Sequence, residues 1–161
     1  MAVSGFMNMT SWARLPAARN IGRTGRPWPA QQFEYAHNDI GNRSSTKAGG
    51  DEIGLNLRSA TYSVNNLNQY TNRTVPGAVD IIGVANAAAV VTVSNQTTYR
   101  KVEYYRKELS INNASAPQYP GVTNKAVQSG TTNTVTGNVF LPKTPETFVS
   151  DADAKGSVLE L

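Results

Sequence analysis

The chain has 161 residues, of which 39% are apolar and 16% charged; it carries a formal net charge of +4 and no cysteine. That length suits about one domain with a core. The missing cysteine excludes disulfides, thiolate metal sites and a cysteine nucleophile, and no apolar run reaches the roughly 18 residues of a membrane span.

Residues 1–32 read as an irregular, basic leader. Pro16, Pro27 and Pro29, with Gly22 and Gly25, interrupt any period. Arg14, Arg19, Arg23 and Arg26 hold the excess charge; from Pro27 onward eleven basic and eleven acidic residues cancel. A nucleic-acid-binding body needs a basic face, so no nucleic acid is expected as partner. No continuous apolar segment follows the arginines, so no signal peptide is visible.

Phe33-Glu34-Tyr35-Ala36 alternates as a strand does and runs into Asn38-Asp39-Ile40-Gly41-Asn42. There Gly41 supplies positive φ and the Asx side chains bond their own backbone. Ser44 to Leu57, with Gly49-Gly50-Asp51-Glu52 and Gly54, reads as a hairpin tip or loop. Leu57–Val64 is a strand ending in an Asn65–Gln69 turn, and Tyr70–Val75 is the next, stopped by Pro76-Gly77. Residues 78–147 have a different texture, with short strands between turn signals: Val79–Val84, Val90–Val93, a long strand over Thr98–Arg106, and Thr134–Leu141. That spacing predicts a small sandwich-like insert. Residues 148–161 open with Phe148-Val149-Ser150-Asp151-Ala152-Asp153, the start of a further, truncated copy.

The turns recur. Asn38 and Asn65 are 27 residues apart, and Asn65 and Asp151 are 86 apart. One ordinary spacing plus an insertion of about sixty residues accounts for the second gap. Spacings in the twenties fit one hairpin-like unit per repeat.

At this level the chain resembles the bacterial RHS or YD-repeat family. His37-Asn38-Asp39-Ile40-Gly41-Asn42-Arg43 is similar to its Tyr/Phe-Asp-x-x-Gly-Asn-Arg core, with His37 in place of the aromatic and Asn38 in place of the Asp. Tyr62-Ser63-Val64-Asn65-Asn66-Leu67-Asn68-Gln69-Tyr70-Thr71 is similar to a longer variant of it. Phe148–Asp153 resembles the start of another unit, with Ser150 where a Tyr is usual. The resemblance implies an all-β chain: repeated hairpins forming part of a sheet or shell, with 33–77 as repeat hairpins and 78–147 as insert. It implies a scaffold or encapsulation wall, at the cell surface or secreted, and either a fragment of a longer chain or a diverged copy. The implied partners are the rest of such a chain or edge-strand self-association.

Few residues look chemical. His37 beside Asp39 would make a general base, but it fits better as the substituted aromatic of the repeat; no Gly-x-Ser-x-Gly elbow accompanies it. Asp151 and Asp153 begin a calcium-loop-like run, yet Lys155 stands where a third oxygen ligand belongs. Neither a metal nor a cofactor is expected, and no enzyme. The repeat-turn residues are therefore Asn38, Asp39, Gly41, Asn42, Arg43, Asn65, Asn68, Gln69, Asp151 and Asp153. The alternative function is a carbohydrate- or polymer-binding module in the insert. Its candidate contacts are Tyr99, Tyr104, Tyr105 and Arg106, with Tyr99 and Tyr105 on one face of a single strand and Tyr104 on the other. A glycan is then the partner.

Overall fold

A computed structural model describes residues 18–21, 27–150 and 158–160, with side chains placed for 28–149. The elements are all strands: β1 (Ala18–Ile21), β2 (Pro27–His37), β3 (Arg43–Gly49), β4 (Leu57–Val64) and β5 (Tyr70–Arg73) come first. Next are β6 (Ala78–Val84), β7 (Val90–Val93), β8 (Gln96–Thr97), β9 (Tyr99–Lys101), β10 (Tyr104–Ser110), β11 (Gly121–Gln128) and β12 (Thr131–Asn138). β13 (Glu146–Ser150) and β14 (Val158–Glu160) close the chain. No helix among the described residues is long and apolar enough to cross a membrane. Thr, Val and Asn are abundant, whereas Leu, Glu and Lys, which favour a helix, are few.

β1 to β5 form an antiparallel meander. β5 then pairs with β13, and β13 with β14, giving a seven-stranded sheet in the order β1-β2-β3-β4-β5-β13-β14. Arg73 lies opposite Glu146, and Asn72 opposite Thr147, so the ladder continues across the gap in sequence. Residues 74–145 leave the sheet and return to it. They build a three-stranded sheet, β6-β10-β9, and a four-stranded sheet, β12-β11-β7-β8.

The two small sheets share a core of Val93, Leu109 and Val122, with Val79, Ile81, Tyr105 and Val139 packed around it. Val93 is fully buried. Each such side chain contributes about 1.5–3 kcal/mol of transfer free energy on burial. The neck of this intervening region is tied by one amide: buried Asn113 donates to the carbonyls of Val75 (3.2 Å) and Pro142 (2.8 Å).

Three readings of the sequence are corrected here. The leader reaches less far than residue 32, because β1 and the start of β2 are strand and pair with each other. Proline at a strand start or beside a bulge costs no ladder bond. Pro27 opens β2, and Pro29 precedes Ala30, whose φ of 63° marks an irregularity. Second, the long strand expected over Thr98–Arg106 is a hairpin. β9 and β10 fold back at Val102-Glu103, with Tyr104 opposite Lys101 and Arg106 opposite Tyr99. Val102 holds φ at 56°, rare for a β-branched residue. Arg100 stabilises this turn, its guanidinium donating to the Val102 carbonyl (3.0 Å) and to that of Asn86 (2.8 Å). Third, the hairpin tip or loop expected over Ser44–Leu57 is shorter than that: Ser44–Gly49 belong to β3, and the tip between β3 and β4 occupies residues 50–56.

Candidate functional site

Three turns of the meander are one structure repeated. In each, an Asx residue's N–H donates to the carbonyl four residues on: Asn38 to Asn42 (2.8 Å), Asp51 to Leu55 (2.8 Å) and Asn65 to Gln69 (2.9 Å). In each, its carbonyl accepts from the N–H three residues on, and its side-chain oxygen accepts from the N–H groups two and four residues on. The fourth position needs positive φ and is filled by Gly41 (88°), Gly54 (87°) and Asn68 (61°). The third is an exposed aliphatic every time: Ile40, Ile53 and Leu67. The Asp51 copy halves the repeat, to spacings of 13 and 14 residues. Its signal in sequence is chemical rather than literal: Asx, any, aliphatic, Gly or Asn.

Asp51 is the one carboxylate in this set. Burial would raise its pKa, but donation from Leu55, Ile53 and Gly54 and from the Asn56 side chain holds it below the ordinary value. The turns at Asn38 and Asn65 lie at the same end of the sheet and touch, Asn42 Nδ2 donating to Asn68 Oδ1 at 3.3 Å. Asp39 is exposed within the first of them, and His37 ends β2 opposite Arg43.

One face of the meander carries a ladder of rings and guanidinium groups. Arg43 sits 5.2 Å from the Tyr35 ring centroid and 5.7 Å from that of Tyr62. Tyr62 meets Tyr70 edge-on at 5.6 Å, and the Tyr70 hydroxyl accepts from the Arg43 N–H at 2.8 Å. Burial pushes the Tyr62 phenol up, yet donors from Arg43, Thr46 and Arg73 bring it below its usual value. Arg73 also pairs with Glu146, which is buried, with its Oε1 left without a partner.

The strand expected to contact a ligand is mostly committed elsewhere. Tyr104 donates its hydroxyl to the Pro29 carbonyl (2.6 Å) and meets Trp28 edge-on at 5.0 Å, fastening β10 to the start of β2. Its phenol is pushed up, chiefly by burial. Arg106 belongs to a closed ion square with Arg58, Asp80 and Glu108, in which each cation touches both carboxylates. Asp80 and Glu108 face each other across β6 and β10, like charges that the two arginines neutralise. Arg58 comes from β4, so the square also fastens the meander to the intervening region. Its guanidinium loses solvation there, but the two carboxylates still raise its pKa. Tyr99 and Tyr105 lie on different strands and do not share the face of one.

Tyr105 does line an opening. Where β6 and β10 diverge from β7, β11 and β12 there is a cleft of about 540 Å³. Val84, Ala89, Val91 and Ala126 give it apolar walls, and Asn124, Gln128, Thr131 and Asn133 give it polar ones. Asp151 and Asp153, the last of the expected turn residues, lie outside the described residues. Comparison with protein-family models, with curated proteins and with solved structures finds no match.

Proposed function

We propose that this chain is a non-enzymatic wall segment of an RHS/YD-type repeat protein, secreted or at the cell surface, whose work is to extend a sheet. The observation that supports this most is the threefold recurrence of one turn geometry along a continuous meander. A unit of this kind buries little by itself and relies on its neighbours for cover. The Arg43 ladder supplies cover of that sort between hairpins, because one guanidinium serves the rings of β2 and β4 at once. Among the described residues, the meander ends on β1 and β14, each paired on one side. Further units of a longer chain, or another copy, complete the wall by pairing there.

Sedimentation velocity over a wide concentration range tests this. The chain should form larger species as concentration rises. Asn20→Pro, which removes a donor from β1, should suppress them. A strictly monomeric chain at every concentration, with the amides of β1 and β14 protected from exchange, would count against a wall segment.

A further inference from the structure

We infer that the cleft between the two small sheets is a binding site for a neutral, hydroxyl-rich ligand, a short glycan. The inference rests on which residues occupy an inward-facing row. On β11 and β12, Asn124 stands opposite Val135, Ala126 opposite Asn133, and Gln128 opposite Thr131. All six line the cleft, so all six share the face that looks toward β6 and β10. On the neighbouring strands this face carries core residues: Val93 lies opposite Asn124, and Val91 opposite Ala126. A sandwich interior alternates apolar side chains inward. Here the inward row changes from valine to amides and hydroxyls at the point where the sheets part. That change gives the opening a wall of hydrogen-bonding groups beside its apolar ones.

One amide is already short of a partner. Asn124 Oδ1 is buried and accepts no hydrogen bond. Such an atom costs about 1–3 kcal/mol to leave unsatisfied, and a turn of the Asn124 side chain, which lines the cleft, would present it to a hydroxyl donor there. The remaining polar groups are amides and hydroxyls, which both give and receive hydrogen bonds, as sugar hydroxyls do. Among the described residues no carboxylate lines the cleft, and Lys125 is its one charged residue, which disfavours a cationic ligand. The Tyr105 ring and the exposed valines at the rim, Val84 (78% exposed) and Val135 (67%), offer apolar surface for the C–H faces of a sugar ring. The volume falls within the roughly 300–1,000 Å³ of small-ligand sites.

A peptide has a different route to this region. β12 is an open edge on which every residue is exposed, without charge, proline or bulge. A peptide strand added there would bond to backbone rather than to the amides of the cleft.

The full chain, isotopically labelled, is titrated in solution with neutral gluco-, manno-, galacto- and chito-oligosaccharides, and separately with a neutral extended peptide. At least one sugar series should shift the amide signals of Val84–Asn86, Asn124–Ala126 and Asn133. Asn124→Ala should weaken that binding about tenfold, and Ala126→Phe, which fills the cleft, should abolish it with the thermal midpoint retained. Silence toward every sugar overturns the inference. So does a response confined to the β12 edge with the peptide, and so does affinity unchanged in Asn124→Ala.

Discussion

Among the described side chains of the meander strands the buried apolar ones are Pro29 and Ala60, and Val75 follows just beyond β5; the intervening region closes two sheets over Val93, Leu109 and Val122. The first is held by turns, ladder bonds and a surface stack of tyrosine and arginine. The second is held by a core. A hairpin whose instructions lie in five turn residues and one face can be repeated, because nothing in it depends on a closed interior. A core cannot be extended in this way, since each added strand would have to repack it. The same molecule therefore contains an open-ended half and a finished half.

The largest effect that would sharpen this contrast comes from the core. Leu109→Ala should cost about 2–5 kcal/mol, read by urea denaturation. Hydrogen exchange should show the loss concentrated in β6–β12, with the three turn amides Gly41, Gly54 and Asn68 less affected. Equal loss throughout would mean that the two halves fold as one cooperative unit.

A smaller effect should come from the ion square that joins them. Arg58→Met leaves Asp80 and Glu108 facing each other with Arg106 alone between them. The cost should be about 3 kcal/mol in denaturant midpoint experiments, falling as added salt screens the exposed side of Glu108. Destabilisation of both halves is the expected pattern. An unchanged midpoint would mean that the halves are fastened by Trp28 and Tyr104 instead.

The smallest effect separates the three turns from one another. The Asp51 carboxylate has a lowered pKa in the folded chain. Its contribution is therefore present above its ordinary value, 3.8, and lost as pH falls below that toward the folded value. Amide exchange at Ile53 and Leu55 should quicken in acid relative to the matching amides of the Asn38 and Asn65 turns, whose capping side chains are amides that do not titrate. Asp51→Asn should remove the difference.

Much of the meander was legible in sequence, because Asn38–Asn42 and Asn65–Gln69 carry the chemistry of their turn in plain view. Asp51–Leu55 was harder: it is not followed by a signature pair such as Asn42-Arg43 or Gln69-Tyr70, and the equivalence lies in bonding geometry. The β9–β10 hairpin gave no signal, since Val102-Glu103 contains no turn former and the turn is stabilised from outside by Arg100. Pro27 and Pro29 misled in the opposite direction, breaking a period without breaking a strand. Of the four residues expected to contact a ligand, Tyr105 lines the cleft, while Tyr104 and Arg106 are bonded elsewhere. Asn124 and Asn133 were invisible, because an amide in a Thr-rich strand acquires meaning only once its face is known.

Arg73 and Glu146 stand opposite each other as the last pair of a hairpin would. Everything between them occupies the position of a hairpin loop, however large it is. Lengthening, shortening or exchanging that loop leaves the ladder on either side in register. The sheet thus has a socket: a place where a separately cored region is inserted without interrupting the count of the strands on either side.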